Sequence, residues 1–142
     1  MKETKFSKDF LQRLNEIYPD MWFKKISGST TQQTGIPDYL LCIVGKFISI
    51  EFKVQRDNKI RITPRQIKEI NSIWDSKGIA LLIAYDENRD KILIRQARLD
   101  SKTAMQTKKI SIDWDFTLDS FEDAMQFMKN LIGNETAHLM GG

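Results

Sequence analysis

The stretch GIPDYLLCIVGKFISIEFK, residues 35–53, decides the fold and most of the chemistry expected of this chain. Its two apolar runs are separated by Gly45-Lys46, a turn signal for a two-residue β-hairpin. Side chains alternate between the faces of a strand, so Glu51 and Lys53 share one face of the second run. With Gly45 and Lys46 as the loop, Asp38 of the first strand stands opposite Lys53. The pattern predicts two carboxylates and one ammonium group at one end of a hairpin.

This cluster fits the hydrolysis of a phosphodiester. Asp38 and Glu51 together can hold Mg²⁺, a hard cation that prefers oxygen ligands, and such an ion can neutralise charge in the transition state. Lys53 can orient the attacking water or stabilise developing charge. The alternative is a cross-strand salt bridge between Asp38 and Lys53. It leaves Glu51 without a partner between the apolar Ile50 and Phe52, where a carboxylate needs one.

Length and composition indicate one globular domain. The chain has 142 residues, 41% of them hydrophobic and 29% charged, with a net charge of +3. The single cysteine, Cys42, and the single histidine, His138, argue against a zinc site, so carboxylates would have to hold any metal. No apolar run approaches the roughly 20 residues that span a bilayer, and the first ten residues have no signal-peptide character. We therefore expect a cytoplasmic protein with no membrane partner.

Hydrophobic periodicity predicts an α/β fold, a single domain with a central mixed β-sheet flanked by helices. Helices are expected over residues 5–18, 64–76 and 120–132. Strands are expected over residues 21–26, 39–44, 47–55, 79–85, 91–95 and 110–116. Residues 27–35 are polar and indicate a loop. Gly133 is expected to end the last helix and to leave a loose tail from about residue 134.

These residues resemble a known family. Asp38, a hairpin and then Glu51-Phe52-Lys53 look like the signature of the PD-(D/E)xK nucleases. The whole of residues 35–53, followed by Thr63-Pro64-Arg65-Gln66, is similar to the VRR-NUC nucleases of phage and bacterial type and to the archaeal Holliday-junction resolvases. The resemblance covers roughly residues 3–85.

The resemblance implies a restriction-endonuclease-like core in residues 1–97, followed by an extension over residues 98–142 packed on the same domain. It implies an Mg²⁺-dependent deoxyribonuclease, with Mn²⁺ able to replace Mg²⁺, that cuts branched or Holliday-junction DNA. DNA is then the expected partner, and symmetrical cutting of two strands calls for a homodimer. Two alternatives stay open, namely a non-catalytic nucleic-acid-binding module on the same fold and a protein-interaction role of the extension.

The resemblance also assigns roles to single residues. It implies four metal-binding groups, the carboxylates of Asp38, Glu51 and Glu3 and the main-chain carbonyl of Phe52. Glu16 is the rival of Glu3 on the first helix, although a plain surface position explains Glu16 better. Lys53 is the implied catalytic lysine. Gln66 is implied to lie near the metal, but Thr63 and Gln66 also form the pattern of a helix capping box.

Expected contacts with nucleic acid are spread over two segments, and involve Lys25, Ser29, Arg56, Lys59, Arg61 and Arg65. The run from residue 53 to residue 68 contains six basic residues and one acid, so it could neutralise phosphates. A solvated loop and helix face is the alternative for this run. The three tryptophans, Trp22, Trp74 and Trp114, are expected in the core rather than as platforms for stacked bases.

Overall fold

The computed structural model describes residues 1–26, 36–100 and 109–141, with side chains described as far as residue 133. The helices in this part of the chain are α1 (Glu3–Ile17), α2 (Pro64–Asp75) and α3 (Phe121–Gly141). Its strands are β1 (Trp22–Lys25), β2 (Tyr39–Ile43), β3 (Lys46–Gln55), β4 (Ile60–Arg61), β5 (Ile79–Asp86), β6 (Lys91–Arg95), β7 (Lys109–Ile110) and β8 (Phe116–Leu118). The predicted loop over residues 27–35 lies outside the described residues.

The central sheet has six strands in the order β1-β2-β3-β5-β6-β8. β3 and β5 are parallel, and the other neighbouring pairs are antiparallel. The chain passes through α2 between the two parallel strands, because parallel neighbours need a long crossover connection. β4 and β7 form a separate two-stranded ribbon. The prediction of one domain with a mixed sheet and flanking helices is confirmed.

The two faces of the sheet pack against different elements. The face that carries Phe52 is covered by α1 and α3. Phe6 and Phe10 of α1 lie one helical turn apart, and their rings meet Phe52 edge-to-face at centroid distances of 5.8 and 5.4 Å. The opposite face is covered by α2 and the β4–β7 ribbon. Glu51 and Lys53 belong to this second face, as the alternation along the strand predicts.

The β2–β3 hairpin turns at Val44-Gly45, one residue earlier than predicted. Both turn residues have positive φ, 51° at Val44 and 77° at Gly45. Positive φ at both central positions defines a type I′ turn, whose twist matches that of the flanking strands. Ile43 therefore pairs with Lys46, and the predicted loop of Gly45 and Lys46 is wrong.

The earlier turn shifts the β2–β3 register by two residues. Tyr39 pairs with Ile50, and the next step of the same register places Asp38 opposite Glu51 rather than opposite Lys53. Because side chains alternate with a period of two, an even shift leaves each of them on its predicted face. The predicted partner of Asp38 is therefore wrong by two residues along β3. The three side chains still lie on one face of the sheet, as predicted.

The C-terminal third of the chain differs most from expectation. α3 continues through Gly133 to Gly141, so the predicted helix end at Gly133 is wrong. The loose tail from about residue 134 stays a prediction. One glycine costs a helix interior only about 1 kcal/mol relative to alanine and does not stop it. The strand expected over residues 110–116 is instead two short strands, β7 and β8, in different sheets. No helix in the described residues, α3 included, is long and apolar enough to cross a membrane.

The tryptophans divide between core and surface. Trp74 and Trp114 are partly buried against the core under α2, so the prediction of core positions is confirmed for both. Trp22 is 48% exposed, and there the prediction is wrong. β1 is an edge strand whose four residues are all exposed. The Trp22 ring lies on the surface of the sheet near Phe47 of β3, at a centroid distance of 6.0 Å.

Candidate active site

Five side chains from four parts of the fold meet where β2 begins. Asp38 directly precedes β2, and Glu51 and Lys53 follow each other on one face of β3. Gln66 lies in the first turn of α2, and Glu3 is the first residue of α1. The packing of Phe6 on Phe52, one turn after Glu3, fixes this end of α1 against β3.

Lys53 is held between a carboxylate and an amide. Its Nζ lies 3.6 Å from Glu51 Oε2 and donates a hydrogen bond of 3.2 Å to Gln66 Oε1. The same Gln66 oxygen accepts from the Thr63 backbone N–H at 3.0 Å, while the Gln66 backbone N–H donates to Thr63 Oγ1 at 3.1 Å. The capping box of α2 therefore fixes the amide with its oxygen toward Lys53. Gln66 therefore both caps α2 and lies beside Lys53.

Asp38 is tied to the strands on both of its sides. Its Oδ2 accepts a hydrogen bond of 3.3 Å from the Phe52 backbone N–H. Its own backbone carbonyl accepts one of 2.8 Å from the Ile26 N–H, just beyond β1. These two contacts hold the Asp38 carboxylate beside Glu51, and no salt bridge to Asp38 is formed within the part of the chain that the structure describes.

Glu51 is the least satisfied polar group of the cluster. The residue is 1% exposed, and its Oε1 is buried without a hydrogen-bond donor among the described residues. Burial raises the pKa of Glu51 well above its usual value; the nearby Lys53 opposes this rise, and the carboxyl groups of Asp38 and Glu3 add to it. Ionised Asp38 and Glu51 are both acceptors, so a hydrogen bond between their carboxyl groups requires a proton on one of them, and this bond also raises the pKa of Glu51. The structure maintains a buried carboxylate that lacks a donor, which is costly unless a ligand compensates it.

Glu3, not Glu16, lies with this cluster. Burial of its carboxyl group raises the pKa of Glu3, Lys53 lowers it, and Asp38 raises it further, although much of the Glu3 side chain is exposed. Glu16 lies 13 residues further along α1, which is about 20 Å at 1.5 Å per residue. It borders α3 beside Phe121 instead. Between the two alternatives for the first-helix acid, the geometry favours Glu3.

The carboxylates do not by themselves form a complete ligand shell. Within the described residues, no group of three or more Asp, Glu, His or Cys side chains is arranged to hold a metal ion. One oxygen of Glu51 faces Lys53, and one oxygen of Asp38 accepts from the Phe52 backbone N–H. The donor-free Oε1 of Glu51 and the three oxygen-bearing side chains nevertheless match the preference of a hard divalent cation.

A cavity of about 400 Å³ opens beside Lys53 and is strongly basic. Its lining residues are Glu3, Lys53, Val54, Arg56, Lys59, Arg61 and Lys109. The structure therefore brings Arg56, Lys59 and Arg61 next to the cluster. Lys109 was not expected there. Lys109 lies there because β7 pairs with β4. A two-residue strand that follows a polar segment has no sequence pattern from which its partner strand could be predicted.

The other residues expected to contact nucleic acid lie near this cavity or outside the described residues. Lys25 is exposed at the end of β1 and lowers the pKa of Glu3, so it is close to the cluster. Arg65 lines a neighbouring cavity of about 500 Å³ on α2, together with Lys68 and Arg98. Ser29 lies outside the described residues.

A second buried carboxylate, which the sequence did not single out, anchors the turn that carries the basic residues. Gln55, two residues beyond Lys53, donates from Nε2 to Asp86 Oδ2 at 3.2 Å and accepts from Trp114 Nε1 at 2.9 Å. Arg89 Nε donates to the same Asp86 oxygen at 2.8 Å. The adjoining turn residues are linked as well, because the Asp57 backbone N–H donates to the Asn88 side chain and Arg56 pairs with Glu87.

Comparison with known proteins agrees with this geometry. The model of the archaeal Holliday junction resolvase (Hjc) family matches residues 24–130. The chain belongs to the Hjc family. The match includes Asp38, Glu51, Lys53 and also Lys109, and membership confirms the prediction of a nuclease of the structure-selective, resolvase type. The non-catalytic alternative is not favoured, and the resemblance to VRR-NUC nucleases stays a prediction.

A solved structure shares the fold of this Hjc family member. It is the 1.6 Å structure of Hjc from Archaeoglobus fulgidus, described as a Holliday junction resolvase from an archaeal hyperthermophile. The two chains are 16% identical and superpose with a TM-score of 0.57, over 87% of this chain and 98% of the other. At this identity the likeness supports the fold alone. No curated protein matches the chain at a significant level.

Proposed function

We propose that this chain is a divalent-metal-dependent endonuclease that hydrolyses phosphodiester bonds of DNA, with four-way-junction DNA as its preferred substrate. The observation that carries the proposal is Glu51, a buried carboxylate with one oxygen that lacks a donor, beside two further carboxylates and a fixed lysine. Membership of the Hjc family supplies the choice of branched DNA.

The cation would be held by Asp38, Glu51 and Glu3, with the Phe52 main-chain carbonyl as a fourth oxygen ligand. Mg²⁺ fits such a set best because it is hard and prefers oxygen, and Mn²⁺ accepts the same ligands. When bound, the cation would supply positive charge that neutralises the phosphoryl oxygens and makes water a better nucleophile. It would also compensate the buried Glu51 carboxylate, which ionises reluctantly by itself.

Lys53 and Gln66 would act on the attacking water and the developing charge. The Lys53 ammonium has three donors, of which one is directed to Gln66 Oε1 and another faces Glu51 Oε2. The remaining donor is available to orient the water or to stabilise a phosphoryl oxygen. Gln66 is a positioning residue in this proposal, because it touches Lys53 and is itself fixed by the α2 cap.

Binding of DNA is assigned mainly to the backbone phosphates. Arg56, Lys59 and Arg61 line the cavity next to Lys53, and Lys25 and Arg65 add positive charge around it. Ser29 is proposed as a further contact from the family resemblance alone. Contacts of this kind position a nucleic acid without reading its sequence. Cutting two strands of a junction symmetrically requires two such sites related by a twofold axis, so a homodimer is part of the proposal.

The test is a cleavage assay with purified protein on a four-way junction, a linear duplex of the same sequence and a single strand, each in Mg²⁺ and in Mn²⁺. We expect the junction to be cut fastest. Asp38→Asn and Glu51→Gln should each lower the cleavage rate by about 100-fold or more, the size of effect seen when a group that stabilises transition-state charge is removed. Lys129→Gln on the exposed side of α3 is the matched control and should cleave like the wild type.

The outcomes separate the parts of the proposal. Full activity of either carboxylate variant would remove the site assignment. Equal rates on the junction and the linear duplex would remove the substrate preference but keep the nuclease. The absence of cleavage in both metals would remove the nuclease.

A further inference from the structure

The β4–β7 ribbon places two cations directly opposite each other. Arg61 of β4 is the cross-strand partner of Lys109 of β7, and Ile60 pairs with Ile110 in the same register. The two isoleucines are buried in the core under α2. Because side chains alternate, Arg61 and Lys109 extend from the other face of the ribbon, where both are exposed and line the cavity beside Lys53.

This cross-strand pair is unfavourable in the isolated protein. Like charges directly opposite each other in an antiparallel pair destabilise it. Among the described residues, no Asp or Glu forms a salt bridge with Arg61 or Lys109. Arg56 of the same cavity, in contrast, pairs with Glu87. The ribbon thus presents two cations to a cavity in which, among the described lining residues, Glu3 is the single acid.

We propose that Arg61 and Lys109 form a second phosphate site, which holds a non-scissile phosphate of the strand being cut. The inference rests on the proposed nuclease function and deepens it. Arginine offers a planar fork of donors that fits two phosphate oxygens, and lysine adds a compact charge beside it. A phosphate between them would turn a repulsive pair into two charge-assisted contacts.

The position of the site explains why a second phosphate, rather than the reacting one, is the ligand. Lys53 and Glu51 lie on β3, with Asp38 and Glu3 beside them, and these groups would meet the scissile phosphate in the proposed mechanism. Arg61 and Lys109 reach the same cavity from the ribbon, which is a separate element. A DNA strand that enters the cavity would be bound at two phosphates, and this would fix the path of its backbone past Lys53. The C-terminal part of the chain then contributes to binding through Lys109.

The experiment measures equilibrium binding of a fluorescent four-way junction in EDTA at several salt concentrations. The variants are Arg61→Gln, Lys109→Gln and the double variant, with Lys129→Gln as control. We expect each single variant to bind about tenfold more weakly and to reduce the salt-dependence slope by about one, as loss of one phosphate contact should. Since both residues hold one phosphate, the double variant should lose less than the product of the two single effects.

A second readout distinguishes a binding role from a structural one. Removing one of two opposed like charges should leave the melting temperature of Arg61→Gln and Lys109→Gln at or above that of the wild type. A structural role would lower it. If Lys109→Gln matches Lys129→Gln in affinity and salt slope, the second phosphate site is overturned, whether or not the wild type cleaves DNA. If the variants lose binding as expected but the wild type does not cleave, the site stands and the nuclease function fails.

Discussion

Glu51 and Asp86 are both buried carboxylates at 1% exposure, on neighbouring strands of the same sheet, and their surroundings are opposite. Asp86 accepts from the backbone N–H groups of Asn88 and Arg89, at 3.0 and 3.3 Å. It also accepts from the side chains of Arg89 and Gln55, at 2.8 and 3.2 Å. Glu51 has Lys53 at 3.6 Å, and one of its oxygens has no donor among the described residues.

The pKa values of the two groups move in opposite directions for this reason. Burial raises the pKa of Asp86, but the side-chain and backbone hydrogen bonds and the charge of Arg89 outweigh burial, so the pKa is lowered overall. For Glu51 burial is the largest influence and the pKa is raised. A carboxylate that only supports the fold can be surrounded by donors. A carboxylate that must accept a ligand needs an oxygen without hydrogen-bond donors, and this lowers the stability of the folded protein.

The largest effect that this comparison predicts is on stability. Asp86→Asn should lower the free energy of unfolding by about 2 kcal/mol, because it removes charge-assisted hydrogen bonds and places an amide NH₂ among donors. Glu51→Gln should leave the free energy of unfolding unchanged or raise it, since a neutral amide loses less on burial than a carboxylate without a donor. Urea unfolding in EDTA, followed by circular dichroism, measures both.

Two controls accompany this stability measurement. Asp119→Asn removes a carboxylate whose salt bridge to Lys91 is exposed, and it should change stability by less than about 1 kcal/mol. The denaturant slope should be the same in all variants, so that midpoints report stability alone. A loss in Glu51→Gln as large as that in Asp86→Asn would show that Glu51 is a structural carboxylate after all.

The sequence singled out Glu51 and missed Asp86, and the reason is local geometry. Glu51 and Lys53 are two residues apart on one strand, so alternation alone puts them together. Asp38 could be placed on the same face because the register error was an even number of residues. The side chain of Asp86 meets Gln55, which is 31 residues away in the chain, and Gln55 in turn accepts from Trp114, which is 59 residues away from it. No local pattern encodes these two contacts.

The difference between local and long-range contacts also explains the other features that the sequence did not predict. Lys109 joins the site through a two-residue strand, in which its partner Arg61 lies 48 residues earlier in the chain. The exposure of Trp22 depends on β1 being at the edge of the sheet, which is a property of the strand order and not of the strand. In contrast, α2 was predicted almost to the residue because Thr63, Pro64 and Gln66 are local capping signals.

A smaller effect concerns divalent cations. Mg²⁺ that binds the folded protein at Glu51 should raise the free energy of unfolding of the wild type by about 1.4 kcal/mol when its concentration is ten times the Kd. Asp86→Asn should keep this gain, and Glu51→Gln should lose it, because only Glu51 has an oxygen without a donor. Thermal unfolding with Mg²⁺, compared with NaCl at equal ionic strength, isolates binding from screening. An equal gain in Glu51→Gln would place the cation elsewhere.

The smallest effect is the pH dependence contributed by Asp86. Its pKa in the folded protein is lowered from the ordinary value of 3.8, so the unfolded chain binds the proton more readily. The contribution of Asp86 to stability is therefore fully present above about pH 5, and it is lost as the pH falls through 3.8 and then through the lower folded pKa. The stability difference between the wild type and Asp86→Asn should shrink over that acidic window and stay constant at neutral pH. Arg89→Gln should raise the pKa of Asp86 toward its ordinary value, which NMR titration of the carboxyl carbon can measure in the folded protein. A stability difference that grew as the pH fell would mean that Arg89 and Gln55 do not stabilise the ionised form of Asp86.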